Sequence, residues 1–253
     1  MGVIGEGLYT NFRDLGGLNC TDGKQIKSGK IYRCSKLYAE TEEQKAFIEG
    51  LNLDAIVDFR DMEEISQKPD YVPVGVEYIP LSVYEGHKLK YIPVTLQAKA
   101  RVCMLRGKRV PRLKEEKQFS YRLMPWARAY DNIFSLMDEG KTFAFHCTEG
   151  KDRTGFAAML IEYSLGRTTE EVYEEYLFSN ICRPNKDRSI MKYIGCSDEL
   201  IADIGYSESC HEELFNIYMD TIFERYGSID EYLTVWFGVT PERREKWKEL
   251  YCE

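Results

Sequence analysis

The segment Thr142-Phe-Ala-Phe-His-Cys-Thr-Glu-Gly-Lys-Asp-Arg-Thr-Gly155 decides both the fold and the chemistry predicted for this chain. Residues 142–146 are centred on the apolar run Phe-Ala-Phe and predict a strand. A Gly-containing loop follows, and an apolar helix is predicted from Thr154 to Leu165, where Gly166 ends it. Such a loop binds anions well, because backbone N–H groups and the helix dipole point toward the ligand. We therefore expect a phosphate-binding loop here.

Outside this segment, the pattern of apolar residues predicts one α/β domain over residues 1–253, with a helical C-terminal third. Thr41-Glu-Glu-Gln44 has the form of a capping box, which marks the beginning of a helix. Other predicted helices begin at Thr168, Ser228 and Thr240, and one runs from Pro125 to Met137. Further strands are predicted at 30–33, 54–59 and 76–81.

The composition disfavours several classes of protein. With 43% hydrophobic and 30% charged residues among 253, the chain can bury a core and is not disordered. Its net charge of −8 disfavours nucleic-acid binding by the whole molecule. No apolar run is long enough for a membrane helix, and Met1–Thr10 lacks a classical signal peptide. We therefore expect a cytoplasmic protein, or one secreted without a classical signal.

The eight cysteines include no Cys-x-x-Cys pair, which disfavours zinc ribbons, redox dithiols and iron–sulfur sites. They are too dilute for a disulfide scaffold, so we expect free thiols and a reducing compartment. The three histidines are scattered, and none belongs to a His-Glu-x-x-His pattern. The sequence therefore predicts no metal and no cofactor.

Residues 85–128 differ from the rest of the chain in charge. They contain twelve Lys or Arg and three Glu, a local net charge of +9, whereas the remaining residues carry −17. The segment has weak periodicity and contains three prolines and two glycines. Two interpretations are equally compatible with this composition. One is a basic insertion or lid, able to contact an anionic surface transiently, and the other is a solvated basic loop.

A cysteine separated by five residues from an arginine is the minimal signature of cysteine-dependent phosphatases. Three such pairs occur in this chain: Cys103/Arg109, Cys147/Arg153 and Cys182/Arg188. Pro184 follows Cys182 and removes an N–H group, while Cys103 lacks a preceding buried strand. Only Cys147 follows a predicted buried strand, with Gly150 available for the tight turn before the helix. We therefore select Cys147, against the alternative of a buried structural cysteine.

The chemistry expected of this loop follows from its residue types. A helix N-terminus and the Arg153 guanidinium lower the pKa of the Cys147 thiol, so that the thiolate can attack phosphorus. The planar fork of Arg153 can bind two phosphoryl oxygens. Thr154 can donate its hydroxyl to the sulfur and stabilise it as a leaving group. The other loop residues expected at the phosphate are Thr148, Glu149, Gly150 and Lys151.

Two neighbouring side chains allow more than one interpretation. Departure of the substrate oxygen requires a proton, which Asp152 could deliver from inside the loop. The alternative is that Asp152 only pairs with Lys151 or Arg153. His146 precedes Cys147 on the predicted strand, so its side chain points to the opposite face. We expect His146 to order the loop backbone through hydrogen bonds rather than to act as a base.

The segment His146–Gly155 resembles the phosphate loop of the atypical bacterial protein-tyrosine phosphatases, a family with secreted members that also act on phosphoinositides. Asn11-Phe-Arg-Asp-Leu-Gly-Gly17 is similar to the N-terminal signature of that family. Further similarities at 29–37, 57–64 and 227–233 extend the resemblance over nearly the whole chain. The combination of the first two motifs is specific.

The resemblance implies a cysteine-phosphatase fold, with a central, mostly parallel sheet flanked by helices and a mobile lid over the site. It also implies Cys147 as the nucleophile, Arg153 as the phosphate ligand and Asp152 as the general acid. The basic segment 85–128 is placed where such a lid could lie.

Three residues outside the loop are candidates for ordering it: Asp14, Asp58 and Arg60. The alternative for these residues is ordinary turn capping and pairing at a strand end. Glu149 departs from the small residue of the relatives, and its charge should repel polyanionic substrates unless Lys151 offsets it.

The leading hypothesis is therefore a metal-independent phosphatase that acts on phosphotyrosine in proteins through a thiophosphate intermediate. Phosphoinositides or inositol phosphates are the alternative substrates, which the basic segment favours and Glu149 disfavours. A phosphate-binding module without turnover and a sulfurtransferase fit less well, because neither explains Cys147, Asp152 and Arg153 together.

Overall fold

A twisted sheet lies at the centre of the molecule. The computed structural model describes residues 2–20, 23–84, 113–183, 187–193 and 195–253, and within these ranges the sheet has six strands in the order β1-β2-β3-β6-β4-β5. The strands are β1 (Gly2–Val3), β2 (Arg13–Asp14), β3 (Ile31–Cys34), β4 (Ala55–Asp58), β5 (Glu77–Pro80) and β6 (Phe143–His146). The four strands from β3 to β5 in this order are parallel, and β1 and β2 add an antiparallel edge. The mostly parallel sheet predicted from the resemblance is confirmed.

Helices cover the sheet and make up the C-terminal part of the chain, as predicted. Those before the phosphate loop are α1 (Glu42–Gly50), α2 (Met62–Gln67), α3 (Leu113–Leu123) and α4 (Asp131–Asp138). Those after it are α5 (Asp152–Ser164), α6 (Thr169–Phe178), α7 (Ser189–Tyr193), α8 (Asp198–Glu208), α9 (Glu212–Tyr226), α10 (Ile229–Phe237) and α11 (Pro241–Tyr251). None of the helices described here is long and apolar enough to cross a membrane.

Strand β6 places the phosphate loop at the centre of one sheet edge. Its last residue, His146, lies opposite Cys34 of β3 and Asp58 of β4, so three parallel strands end together. Side chains alternate along β6: Phe143 and Phe145 pack into the larger core with α5, whereas Ala144 packs into a smaller core on the other face. Every residue of α5 is buried, which explains the apolar run from Gly155 to Ile161 in its middle.

Local sequence signals located most elements within one or two residues. The capping boxes at Thr41 and Thr168 are both formed. The helix predicted from Pro125, however, begins only at Asp131, after two short 3₁₀ turns. Ala127 between these turns is extended (φ −78°, ψ 123°) and interrupts the helix. The interruption leaves the Pro125 carbonyl group to accept a hydrogen bond from the Tyr232 hydroxyl at 2.5 Å.

The basic segment is only partly described, because residues 85–112, including Cys103 and Arg109, lie outside the described ranges. Its remaining part differs from the expected irregular insertion. Helix α3 buries Leu113 and Tyr121, and Met124 just after it is also fully buried in the core. The apolar side chains on one face of α3 therefore pack the C-terminal end of the basic segment into the core. A lid over the site remains a prediction.

Candidate active site

The phosphate loop joins β6 to α5, with Cys147 directly after the strand and Arg153 in the first turn of the helix. Both side chains are buried, and Cys147 is 2% exposed. Gly150 has a positive φ of 64°, and a Cβ at this position would collide with the carbonyl group of Cys34. Only glycine therefore lets the loop lie this close to the end of β3.

The N-terminal motif holds the loop from behind. The side-chain amide of Asn11 donates hydrogen bonds to the carbonyl oxygens of Gly150 at 2.8 Å and Glu149 at 3.1 Å. Arg33 of β3 donates to the same Gly150 oxygen at 2.9 Å. These donors satisfy loop carbonyl groups that no strand or helix pairs, and they connect the first residues of the chain to the loop.

A buried ion network continues from these donors. Glu175 of α6 accepts hydrogen bonds from Arg13 at 3.0 and 2.6 Å and also pairs with Arg33. All three side chains are excluded from water, so each charge depends on its partners. Asp14, by contrast, accepts from the N–H groups of Gly16 and Gly29, which are turn contacts. Within the motif, Asn11 thus contacts the loop and Arg13 contacts Asn11 and Glu175, whereas Asp14 caps turns, which was the alternative interpretation.

Glu64 fixes the guanidinium of Arg153. Arg153 donates from one terminal nitrogen to Glu64 Oε2 at 2.7 Å and from the other to Oε1 at 2.9 Å. The Thr148 hydroxyl donates to the same carboxylate, and Arg153 also donates to the Phe59 carbonyl oxygen at 3.1 Å. The paired hydrogen bonds hold the guanidinium plane in one orientation. Glu64 lies at the third position of α2, where its oxygen also completes a capping box with Asp61.

The environment of Cys147 favours the thiolate. Burial raises the pKa of the Cys147 thiol. The Arg153 guanidinium and hydrogen bonds from Thr154 lower it by a larger amount, so the pKa lies below its ordinary value. This combination of a cation and a helix N-terminus is the one expected from the sequence.

Asp152 has two closer partners than Lys151, which is one of the partners that the sequence suggested. Lys117 of α3 lies 2.5 Å from its Oδ2 atom, and the Tyr121 hydroxyl donates to Oδ1 at 2.5 Å. Lys151 is more distant, at 3.6 Å from Oδ1. Although burial raises the pKa of this carboxyl, Lys117 and Lys151 together with the hydrogen bonds hold it well below the usual range. Asp152 is therefore a carboxylate in this arrangement.

The Lys151 side chain is anchored on the end of α8. Its ammonium donates to the carbonyl oxygens of Ser207 at 2.9 Å and Ser209 at 3.5 Å, at the C-terminal end of α8. A cation there interacts favourably with the unpaired carbonyl groups of the helix end. The side chain of Lys151 is therefore already engaged. Phosphate binding by its backbone N–H group remains a prediction.

Arg183, not Lys151, compensates the charge of Glu149. The Arg183 guanidinium pairs with the Glu149 carboxylate and also donates to the carbonyl oxygen of Glu208. The repulsion of polyanionic substrates expected from Glu149 is thereby reduced.

A second buried network lies beneath the loop, around His146. The imidazole contacts the carbonyl oxygen of Cys147 at 3.1 Å through Nδ1 and Asp70 Oδ2 at 3.0 Å through Nε2. Arg60 bridges Asp70 at 2.8 Å and Asp58 at 2.7 Å. Burial lowers the pKa of His146, but Asp70 and Asp58 raise it to about 9, so the imidazole is protonated and can donate at both nitrogens.

This network shows how Asp58 and Arg60 can order the loop as the sequence suggested, namely through His146. Ligand atoms of Asp58, Asp70 and His146 lie within 4.8 Å of one another, a spacing that could hold a metal ion. Arg60 and the protonated imidazole already supply positive charge to both carboxylates. The cluster therefore fits an ion-pair network better than a cation site.

The raised pKa of His146 predicts that stability depends on pH. Because the folded pKa of about 9 exceeds the unfolded value of 6.5, the contribution is complete below about pH 6.5 and is lost as pH rises through about 9. We expect on the order of 3 kcal/mol of unfolding free energy to disappear across this window. Asp70→Asn should flatten this decline, as measured by urea unfolding between pH 6 and 9.

His211→Gln provides the control for this measurement. The pKa of His211 is lowered by burial, so it titrates below the window, and its substitution should leave the decline unchanged. A decline of equal size in wild type and Asp70→Asn would show that the Asp70 contact does not retain the proton on His146.

The sequence had suggested no role for seven residues that contact the site or its supporting network: Asn11, Arg33, Glu64, Asp70, Lys117, Tyr121 and Glu175. Asn11 and Arg33 lie inside similarity motifs, and Glu64 lies at the end of another, so the motifs offered a signal for these three. Lys117 and Tyr121 lie in the basic segment, where nothing in the pattern distinguishes them from other polar residues. Asp70 and Glu175 likewise carried no local signal.

Comparisons with known proteins bear on what this site does. A model of the tyrosine phosphatase family matches residues 7–253. A protein of Cupriavidus necator, provisionally named a tyrosine-protein phosphatase, is 27% identical over 231 residues, covering 88% of this chain and 80% of its own. The triple specificity protein phosphatase PtpB of Mycobacterium tuberculosis is 23% identical over 201 residues, covering 73% of this chain and 71% of its own.

Two crystal structures of TpbA from P. aeruginosa align at 12% identity. One covers 78% of this chain and 89% of TpbA with a TM-score of 0.31, and the other, a cysteine-to-serine variant in complex with pTyr, covers 86% and 98% with a TM-score of 0.32. Because both scores are low, the assignment depends on the sequence matches. These favour the phosphatase hypothesis over a sulfurtransferase or a module without turnover, and the chain belongs to the tyrosine phosphatase family and is a phosphatase.

Proposed function

We propose that the protein hydrolyses phosphotyrosine through a thiophosphate intermediate on Cys147, without a metal ion. The observation that carries this proposal is the loop between β6 and α5, which combines a buried thiol of lowered pKa with Arg153 at a helix N-terminus. The name of the Cupriavidus relative supports phosphotyrosine as the substrate.

In the first step, the Cys147 thiolate attacks phosphorus and the bond to the tyrosine oxygen breaks. Arg153, oriented by Glu64, binds phosphoryl oxygens more tightly as charge shifts in the transition state. The leaving oxygen requires a proton, for which Asp152 is our candidate donor. In the second step water attacks phosphorus, and the Thr154 hydroxyl stabilises the departing sulfur.

Phosphoinositides or inositol phosphates are the second candidate substrates. The net charge of +9 within residues 85–128 and the pairing of Glu149 with Arg183 favour them, as does the triple specificity in the name of the Mycobacterium relative. Phosphate release should be compared for a phosphotyrosine peptide, soluble inositol phosphates and vesicles containing phosphatidylinositol phosphates. A higher kcat/KM for the peptide than for the other two supports the first proposal, and the reverse order supports the second.

Chelation should not affect the reaction. We expect p-nitrophenyl phosphate hydrolysis to proceed at the same rate with and without EDTA, because a thiolate supplies the nucleophile and Arg153 supplies the positive charge. Alkylation of the enzyme with iodoacetate serves as the positive control and should abolish activity. Activity that returns only when a divalent cation is added would overturn the metal-independent mechanism.

A further inference from the structure

Two residues of α3 contact the candidate acid directly. Lys117 and Tyr121 lie four residues apart, so they share one face of the helix. The Lys117 ammonium lies 2.5 Å from Asp152 Oδ2, while the Tyr121 hydroxyl donates to Oδ1 at 2.5 Å. Helix α3 therefore holds both oxygens of the Asp152 carboxylate.

The ion pair is shielded from water, since the Lys117 and Asp152 side chains are 9% and 3% exposed. Because water is excluded from this site, the charged form of a lysine is disfavoured, and its neutral and charged forms are close in free energy. Burial lowers the pKa of Lys117 and Lys151 lowers it further, while Asp152 opposes them, with a result of about 8. Lys117 can therefore release its proton near neutral pH.

Other ionisable groups face this pair from several elements. They are Lys151 and Cys147 from the loop, Tyr84 after β5, Tyr176 of α6, Cys210 and His211 before α9, and Tyr218 of α9. Lys151 is the other ammonium near the carboxylate, and it is anchored on carbonyl groups of α8. Lys117 is the closer cation, because its ammonium lies 2.5 Å from a carboxylate oxygen of Asp152 and that of Lys151 lies 3.6 Å away.

The proposed reaction requires a proton donor, yet Asp152 is ionised in this arrangement and a carboxylate has no proton to give. We propose that Lys117 stores the proton that Asp152 passes to the leaving oxygen, so that the two side chains act as one acid–base unit. This inference rests on the proposed function, and Lys117, which acts through Asp152, is a positioning residue.

The proton that Lys117 gives up in the first step returns to it in the second. When the phosphorus–oxygen bond breaks, the tyrosine oxygen takes a proton from Asp152, which takes one from the Lys117 ammonium. The products are tyrosine, the thiophosphate, a neutral Lys117 amine and the Asp152 carboxylate. When water attacks, its proton passes through Asp152 to Lys117, the sulfur–phosphorus bond breaks, and phosphate and the Cys147 thiolate result.

The test compares Lys117→Met, Lys117→Arg and Lys114→Met on phosphotyrosine and on a fluorinated coumarin phosphate, whose leaving group needs no proton. We expect Lys117→Met to lower kcat on phosphotyrosine by about 10²-fold, with a much smaller loss on the activated ester. The alkaline limb of kcat near pH 8 should disappear in the same variant. Lys117→Arg should not restore kcat, because a guanidinium keeps its proton.

Lys114→Met is the matched control. Lys114 lies about one turn earlier on α3, is half-exposed and pairs with Glu213, so its loss should change neither kcat nor the pH profile. Thermal melting verifies that each variant is folded.

Three results would be decisive against the relay. A wild-type rate and pH profile in Lys117→Arg would show that Lys117 acts only as a fixed positive charge. An equal loss on both substrates would make its role structural, and a wild-type profile in Lys117→Met would remove it from the reaction. Failure of the proposed function itself is a separate outcome, in which Cys147→Ser remains active.

Discussion

Cys147→Ser should lower kcat on phosphotyrosine by about 10⁴–10⁶-fold, the range seen when a covalent nucleophile is removed. The serine hydroxyl is far less ionised than a thiol, so Arg153 and the helix N-terminus cannot convert it into an effective nucleophile. The loop, its Gly150 turn and the Arg153–Glu64 pair do not depend on the sulfur, and binding should therefore persist. Phosphate release measures turnover, and calorimetric titration with a phosphotyrosine peptide measures binding.

Cys182→Ser is the matched control for the cysteine substitution. Cys182 also precedes an arginine at the required spacing, but it lies in a loop after α6, is half-buried and follows no strand. Its substitution should be nearly neutral, as should that of Cys103, which lies outside the described residues. A folded but inactive Cys182→Ser would show that the wrong pair was selected.

Asp152→Asn should lower kcat on phosphotyrosine by about 10²–10⁴-fold, the usual contribution of general acid catalysis. The loss on nitrophenyl phosphate should be much smaller, because this leaving group departs without a proton. The limb of the pH profile assigned to the acid should disappear, while the acidic limb of the thiolate remains. Stopped-flow and steady-state rates on both substrates across pH 5–9 measure these changes.

Stability must be separated from catalysis in this variant, because the asparagine leaves the Lys117 ammonium buried without an anion. Breaking such a pair from one side typically costs about 3–5 kcal/mol. The double variant Asp152→Asn with Lys117→Met removes both charges and should regain part of that stability. If the two residues act as one unit, the kcat of the double variant should be about that of the more impaired single variant rather than the product of the two losses.

A uniform loss across leaving groups, with both pH limbs unchanged, would mean that Asp152 only positions its neighbours. The donor would then be another group. Asp58 is a poor substitute, because it lies in the buried network beneath the loop, where its carboxylate is bound by Arg60 and Tyr78. Asp61, the N-cap of α2, would be the next residue to test.

The elements that carry the site were predictable from sequence because their signals are local. The apolar run 143–146, the Gly150 turn and the apolar helix behind it depend on residues adjacent in the chain. The same locality made Cys147 and Arg153 identifiable among three candidate pairs, since a strand, a glycine and a helix are properties of neighbouring residues. The motif resemblance then extended the prediction to the mostly parallel sheet and the family.

The partners of the site residues were decided only by tertiary structure. Lys117 reaches Asp152 across 35 positions of the sequence, Glu64 reaches Arg153 across 89, and Glu175 reaches Arg13 across 162. Lysine and glutamate are common on protein surfaces, so their presence in a sequence does not indicate which of them packing will exclude from water. Once buried, each charge must find a partner, and that requirement decides their pKa values and their chemistry. Sequence alone therefore located the candidate nucleophile, and packing determined which charged groups surround it.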